Sequence, residues 1–239
     1  MDKLYIVIPA YNEEANIEKV VSEWHKVIEK MSKDSRLVVI DDGSKDSTFS
    51  IMKKLEKKYK KFIPITKKNQ GHGATVLYGY NFALKNKCDY VFQTDSDGQT
   101  SPDEFWDFWN ERKNYDMVIG YRKHRQDGSS RVFVTKTLKF ILFMIFHVSI
   151  KDANTPFRLM KCKTLKKFIK LVPKDYHLSN VILSVIYAKA KLKVRYIDIT
   201  FKPRQGGVNS INIKKIFKIG LKSLKDFYNI NKNIKEALK

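Results

Sequence analysis

The 239-residue chain reads as an α/β protein, a mainly parallel mixed sheet covered by helices on both faces. Three observations predict this. Short apolar runs alternate with longer segments of helical periodicity through the first 120 residues. Polar, acid-rich clusters follow several of those runs directly. A hydrophobic content of 43%, with 13% aromatic residues, supplies enough apolar surface for one large buried core.

Residues 4–9, LYIVIP, read as a short buried strand ended by Pro9. In the NEEANIEKVVSEWHKVIEK that follows, Ile17, Val20, Val21, Trp24, Val27 and Ile28 recur at spacings of three, four and seven, the pattern of an amphipathic helix. RLVVI (36–40) is a second strand, and SKDSTFSIMKKLEKKYKK brings Ser and Asp caps ahead of a second helix. FIPIT (62–66) is a third strand, followed by a glycine-broken loop and a helical stretch through Leu84. DYVFQT (89–94) is a fourth strand, PDEFWDFWNERK a helix whose Pro102 suits a first turn, and DMVIG (116–120) closes this half. The second half is less regular. It holds a basic helix containing FILFMIF (140–146), a loop KDANTPFRLMK (151–161), a helix around 178–190, a strand KVRYIDITF (193–201) and a lysine-rich tail. With no internal repeat or low-complexity linker, the economical division is one domain over 1–210 and a basic amphipathic extension over 211–239 that is not an independent domain.

Forty-seven Lys and Arg against 25 Asp and Glu give a formal charge of +22, which attracts polyanions: nucleic acid, anionic lipid surfaces or phosphorylated substrates. No nucleic-acid partner is expected, because the basic residues form neither an aromatic-interleaved platform nor a recognisable binding module. The most apolar run, FILFMIF, falls well short of the roughly 20 residues that cross a bilayer, and MDKLYIVIPAYNEE lacks a signal-peptide core and cleavage site. A cytoplasmic protein is therefore expected. Cys88 and Cys162 have no C-x-x-C spacing and no nearby histidine, so two reduced thiols are expected rather than a disulfide or zinc site.

Parallel sheets bind ligands at the carboxyl ends of their strands, and AYNEE, DDGS and DSDGQ follow the first, second and fourth strands. Asp95 and Asp97 can turn toward one hard divalent cation, which takes one or two carboxylates plus substrate phosphates. Asp41 and Asp42, ending a buried strand, suit the N–H groups of a nucleobase or the hydroxyls of a ribose. NQGHGAT (69–75) lacks the Gly-Lys-Ser/Thr ending of a phosphate loop, so Gly71 and Gly73 point to close backbone approach instead.

Taken in order, VIPAYNEE, VVIDDGSKDST, NQGHGA and DSDGQ resemble the family 2 glycosyltransferases, whose fold is the Rossmann-like GT-A type. IGYR (119–122), DANTPFRLMK (152–161) and ITFKPRQGGVNS (199–210) are similar to segments of the dolichol-phosphate mannose synthases and related polyprenyl-phosphate glycosyltransferases. By that resemblance Pro9, Tyr11, Glu13 and Ser96 belong to a nucleotide pocket, with Asp41 and Asp42 on base and ribose. Asp95 and Asp97 hold Mg²⁺ or Mn²⁺ on the diphosphate, Gln99 sits beside the donor sugar, and Arg122, Arg158 and Arg204 face phosphate groups. The implied donor is a UDP- or GDP-linked sugar. The implied acceptor is polyprenyl phosphate, with a hydroxyl of a glycan or glycolipid as the alternative.

The two acceptors differ in chemistry. A phosphate monoester is already ionised at neutral pH, whereas a sugar hydroxyl needs a base. The helix start at Leu178, Ser179 and Asn180 carries no acid, which favours the lipid phosphate and leaves Asp175 and His177 as nearby candidate bases. In INIKKIFKIGLKSLKDFYNI, Ile213, Ile216, Phe217, Leu224, Phe227 and Tyr228 make an apolar stripe, and Lys214, Lys218, Lys222 and Lys225 another face. Such a helix lies in an anionic interface or packs against the domain. TLKFILFMIFHV, apolar nearly all round and flanked by Arg131, Lys136 and Lys139, points toward peripheral contact with an anionic membrane surface.

Overall fold

The computed structural model describes residues 2–122, 129–174, 176–202 and 213–238. Within them the strands are β1 (Leu4–Ala10), β2 (Arg36–Asp41), β3 (Phe62–Thr66), β4 (Tyr90–Gln93), β5 (Met117–Tyr121), β6 (Arg158–Lys161) and β7 (Val194–Asp198). The helices are α1 (Ile17–Glu29), α2 (Thr48–Lys58), α3 (His72–Lys85), α4 (Phe105–Glu111), α5 (Ser129–Phe146), α6 (Cys162–Phe168), α7 (Ser179–Lys189) and α8 (Ile213–Ala237). All seven strands share one sheet in the order β3-β2-β1-β4-β6-β5-β7. β1 pairs in parallel with β2 and β4, β2 with β3, and β5 with β7; β6 runs antiparallel between β4 and β5.

Strand alternation divides the interior in two. Leu4, Ile6 and Ile8 of β1 point with Leu37, Val39 and Phe92 into a core covered by α1, α2 and α4. Tyr5 and Val7 point with Val38, Ile40 and Val91 into a second core under α3, α5 and α7. A strand buried on both sides must be apolar at every position, which is why LYIVIPA shows no polar alternation. The six apolar residues expected to face inward from α1 are all buried, and Trp24 joins Phe92, Phe105 and Phe157 in an aromatic cluster with centroid separations of 4.7–6.3 Å. On the other face α3 lies close over β1. A Cβ on Gly79 would stand 2.2 Å from Val7 Cγ1, so glycine is what permits this approach.

Four expectations are corrected. The first strand runs through Pro9 to Ala10 instead of stopping at the proline. Residues 158–161, read as loop, form β6; four residues beginning with an arginine give too short and too polar a run to announce a buried strand. The basic helix at the C-terminus also packs differently. Phe227, Ile230 and Ile234 are buried against the α5–α7 core, with Phe227 5.5 Å from the Phe146 ring, whereas Leu224 and Tyr228 face outward. The buried stripe is thus rotated from the one drawn on sequence. The Ile213, Ile216, Phe217 and lysine side chains of the expected pattern lie outside the described residues.

The fourth correction concerns the cysteines. Cys88 and Cys162 form a disulfide, with Cα atoms 6.1 Å apart. Cys88 precedes β4 and Cys162 follows β6, and the antiparallel register of Tyr90 with Lys161 brings them together across 74 residues of sequence. Spacing rules could not show this, because the pairing depends on a strand the sequence did not reveal. Closing a loop of that length constrains the unfolded chain by roughly 4 kcal/mol. We predict that reduction, or Cys162→Ser, lowers Tm by about 5–15 °C in a thermal melt, with no thiol titratable in the untreated folded protein.

Candidate active site

Strand order reverses on either side of β1, and the loops leaving the carboxyl ends of β1, β2 and β4 meet at that point. The first two are knitted into one wall. Asn12 N–H donates to Ser44 Oγ (2.9 Å), Lys45 N–H to Asn12 Oδ1 (2.8 Å), Glu13 N–H to Thr48 Oγ1 (2.8 Å), Glu14 N–H to Asp46 Oδ2 (3.2 Å) and Ser47 N–H to Glu14 Oε2 (3.0 Å). Asn12 adopts φ 54°, a left-handed turn that asparagine tolerates. Pro9 is buried within β1, Glu13 is buried with Oε2 accepting from Asn16 Nδ2, and Tyr11 stands at the mouth, 42% exposed.

Asp41 and Asp42 shape this wall from below. Asp41 accepts from Ser44 N–H (3.0 Å) and from Thr66 Oγ1 (2.7 Å). Asp42 accepts from Lys67 Nζ (2.5 Å), Gln70 N–H (3.0 Å) and Gly71 N–H (2.7 Å), so it folds the loop before α3 around itself. Burial opposes its ionisation, but the Lys67 ammonium and the backbone donors outweigh that and hold its carboxyl below the usual range. Lys67 escaped the sequence reading because it is one cation among many.

The β4 loop forms the facing wall. Asp95 is partly exposed, Ser96 is buried, and Asp97 Oδ1 accepts from Gln99 N–H (3.1 Å), closing a turn that puts Gly98 at φ 69°. Gln99 is buried and clasps the segment after β7 reciprocally: its Nε2 donates to Lys202 O (2.8 Å), and Lys202 N–H donates to Gln99 O (2.8 Å). His72, at the start of α3, places Nε2 2.9 Å from Asp95 Oδ1. Crowding by the surrounding chain disfavours its charged form, and the carboxylates of Asp95, Asp97 and Asp42 more than reverse this, raising its pKa. The sequence reading missed His72 because it weighed only the glycines of NQGHGAT; α3 reaches Asp95 because it packs back over β1.

Two carboxylates from one loop fit a hard divalent cation, which completes its shell with phosphate oxygens and water. Among the described residues no group of three His, Cys, Asp or Glu is placed to hold an ion alone.

The arginines separate. Arg122, at the end of β5, gives Asp152 a bidentate pair, Nε to Oδ2 at 2.9 Å and Nη2 to Oδ1 at 3.0 Å, and lies over the Phe201 ring. Arg158 departs from the phosphate-facing position expected of it. It is fully buried beneath α7, and its donors go to the carbonyls of Thr155, Ala153 and Asn180 and to Ser184 Oγ. The cause is β6: its antiparallel course starts at Arg158, opposite Gln93, and turns the side chain inward. Arg204 and Asp175 lie outside the described residues. His177 is exposed, on a segment packed against the first turn of α3, where a Cβ on Gly73 would meet Tyr176 O at 2.2 Å.

A mixed seven-stranded α/β sheet of this kind is the fold of GT-A-type glycosyltransferases, and solved structures of that class share the fold. Glucosyl-3-phosphoglycerate synthase from Mycobacterium tuberculosis, crystallised with Mn²⁺, uridine diphosphate and phosphoglyceric acid, superposes with a TM-score of 0.70 over 96% of this chain and 78% of its own, at 14% identity. The chain belongs to glycosyl transferase family 2, whose model matches residues 5–170, and is a glycosyltransferase. Similar relatives include the UDP-N-acetylglucosamine–dolichyl-phosphate N-acetylglucosaminyltransferase of Methanococcus voltae, 30% identical over 83% of this chain and 85% of that protein. The dolichyl-phosphate beta-glucosyltransferase of Dictyostelium discoideum is 28% identical over 83% of this chain and 66% of its own.

Asp42→Asn should cost about 2–3 kcal/mol, because it leaves the Lys67 ammonium unpaired in a buried site. The folded pKa of Asp42 is depressed, so its contribution is complete above the unfolded value and is lost as pH falls through the folded one. Urea unfolding should therefore show the full difference at neutral pH and a shrinking one below about pH 4.

Proposed function

We propose that the protein is a metal-dependent, inverting glycosyltransferase that moves a hexose from a nucleoside diphosphate sugar to polyprenyl phosphate at the cytoplasmic face of a membrane. The observation that carries the acceptor is the pair of relatives above, each named for transfer to dolichyl phosphate and each aligned over 83% of this chain. The start of α7 agrees with it. Ser179 and Asn180 offer no carboxylate to deprotonate a hydroxyl, and an ionised phosphate monoester needs none. A UDP-linked donor is supported by the Methanococcus relative's name.

In this reading Asp95 and Asp97 hold Mg²⁺ or Mn²⁺, which supplies positive charge to the departing diphosphate. His72 fixes the Asp95 carboxylate, and the turn closed on Asp97 fixes the second. The knitted 12–14 and 44–48 loops orient the nucleoside, with Tyr11 at its mouth and Asp41 and Asp42 beneath. Gln99, locked to Lys202, stands at the donor sugar, while Arg122 and Arg204 face phosphate.

Membrane contact is supported by an exposed apolar patch. Phe140, Phe143 and Met144 share one face of α5 and are 65%, 55% and 56% exposed, and Tyr228 of the neighbouring α8 is 72% exposed. No helix among the described residues is long and apolar enough to cross a membrane, so the patch suits a surface-lying element.

Incubation of the enzyme with radiolabelled UDP-sugar and polyprenyl phosphate should yield an acid-labile lipid product in proportion to added lipid. Product indifferent to the lipid and stable to mild acid would instead point to a hydroxyl acceptor. Asp97→Ala should reduce transfer by at least 100-fold, on the order of losing a principal electrostatic contact to the transition state, with Tm almost unchanged. Substantial activity of this variant in excess Mn²⁺ would count against the metal role.

A further inference from the structure

Arg158 is the largest fully buried side chain among the described residues, and no carboxylate among them forms an ion pair with it. Taking a guanidinium out of water without a counter-ion is expensive, and the cost is offset only if all its donors are satisfied. Here they are. Nε donates to Thr155 O (2.9 Å), Nη2 to Thr155 O (2.6 Å) and Ala153 O (3.2 Å), and Nη1 to Asn180 O (3.1 Å) and Ser184 Oγ (3.4 Å), which accounts for the five N–H groups of the fork. Ser184 Oγ lies within hydrogen-bond reach of both Ala153 O (2.9 Å) and Asn180 O (2.9 Å), bridging the same two segments.

Those segments adjoin the site through two contacts. One is the 152–155 loop, whose Asp152 holds the Arg122 guanidinium in a bidentate grip. The other is the first turn of α7, whose lead-in at 176–177 rests on the backbone of Gly73, next to the His72 that reaches Asp95. An apolar residue would fill the space under α7 but could not bind three carbonyls on two separate segments.

We propose that Arg158 is a positioning residue for sugar transfer: its fork fastens the Asp152–Thr155 loop to the first turn of α7, and so fixes Arg122 and the entrance of α7 relative to the Asp95–Asp97 pair. It touches neither donor nor acceptor. Displacing that wall by about an ångström would spoil the alignment of the attacking group, an effect that reaches about 100-fold in comparable cases. The donor walls, built from other elements, would be unaffected.

The inference rests on the reading of the crevice as a sugar-transfer site and holds for either acceptor class. Its test uses the full chain as wild type, Arg158→Lys and Ser184→Ala. Arg158→Lys keeps the charge and loses the fork, and Ser184→Ala removes only the bridge, so it decides the question if the lysine variant fails to fold. Calorimetry measures binding of uridine diphosphate with Mn²⁺, steady-state kinetics give kcat and the acceptor KM, and a thermal melt gives Tm. We expect nucleotide affinity within twofold of wild type in both variants. With it should go a kcat loss of at least tenfold in Arg158→Lys, a smaller one of two- to fivefold in Ser184→Ala, and a raised acceptor KM. Wild-type kcat and KM in both variants, or nucleotide affinity falling in step with kcat and Tm, would overturn the proposal. Wild type that makes no polyprenyl-linked product refutes the lipid acceptor alone; the same comparison run with a glycan hydroxyl acceptor then decides the role of Arg158.

Discussion

Because β1 is hydrogen-bonded in parallel to β2 on one side and β4 on the other, the acid-bearing loops at their carboxyl ends are forced into one place. That placement creates an electrostatic difficulty. Glu13, Asp41, Asp42, Asp95 and Asp97 gather at one end of a low-dielectric sheet, where like charges repel strongly. The chain offsets the repulsion locally. Asp42 is neutralised by Lys67, Asp41 is tied to a hydroxyl and a backbone N–H, and Asp95 is held by His72. Of the five, Asp95 and Asp97 on the β4 loop are the partly exposed ones. The bulk charge of +22 acts on a different scale, drawing anions toward a molecule whose centre is acidic.

The alternation of apolar runs and the periodicity of α1 were legible because burial on both faces of a parallel sheet leaves an unbroken signature. The clusters AYNEE, DDGS and DSDGQ were legible for a related reason: where strands end is where polar residues can begin. β6 was not legible. RLMK is too short for a periodic signal, and its pairing is set by β4 and β5, both distant in sequence. Once that strand was missed, its consequences were missed with it: the Cys88–Cys162 pairing at one end, and at the other the inward turn of Arg158. An arginine in a motif reads as a ligand for phosphate, and only three dimensions show whether its fork points to solvent or to carbonyls.

His72 and Lys67 illustrate a second limit. Each acts on an aspartate from another loop, and the relation exists only because α3 lies back across β1, over Gly79. A histidine at a helix start and a lysine after a strand carry no such information by themselves. The sequence offered two readings of the C-terminal helix, lying in an anionic interface or packing against the domain. The structure shows packing for part of the helix: Phe227, Ile230 and Ile234 join the core with α5, while Tyr228 faces outward.

The two halves of the chain are coupled at the same crevice through backbone contacts more than through long side chains. Gly73 lets residues 176–177 sit against α3 with no room for a methyl group, and the reciprocal bonds of Gln99 with Lys202 tie the β4 loop to the segment after β7. Contacts of that kind have no slack: backbone atoms cannot change rotamer to relieve a shift. A movement of the segment after β7 would therefore be felt at the turn that holds Asp97. In such an arrangement Asp95 and Asp97 keep their place relative to the start of α7 through the rigidity of the sheet and its loops, and the geometry at the strand ends depends on residues, Gly73 and Arg158 among them, that are themselves buried.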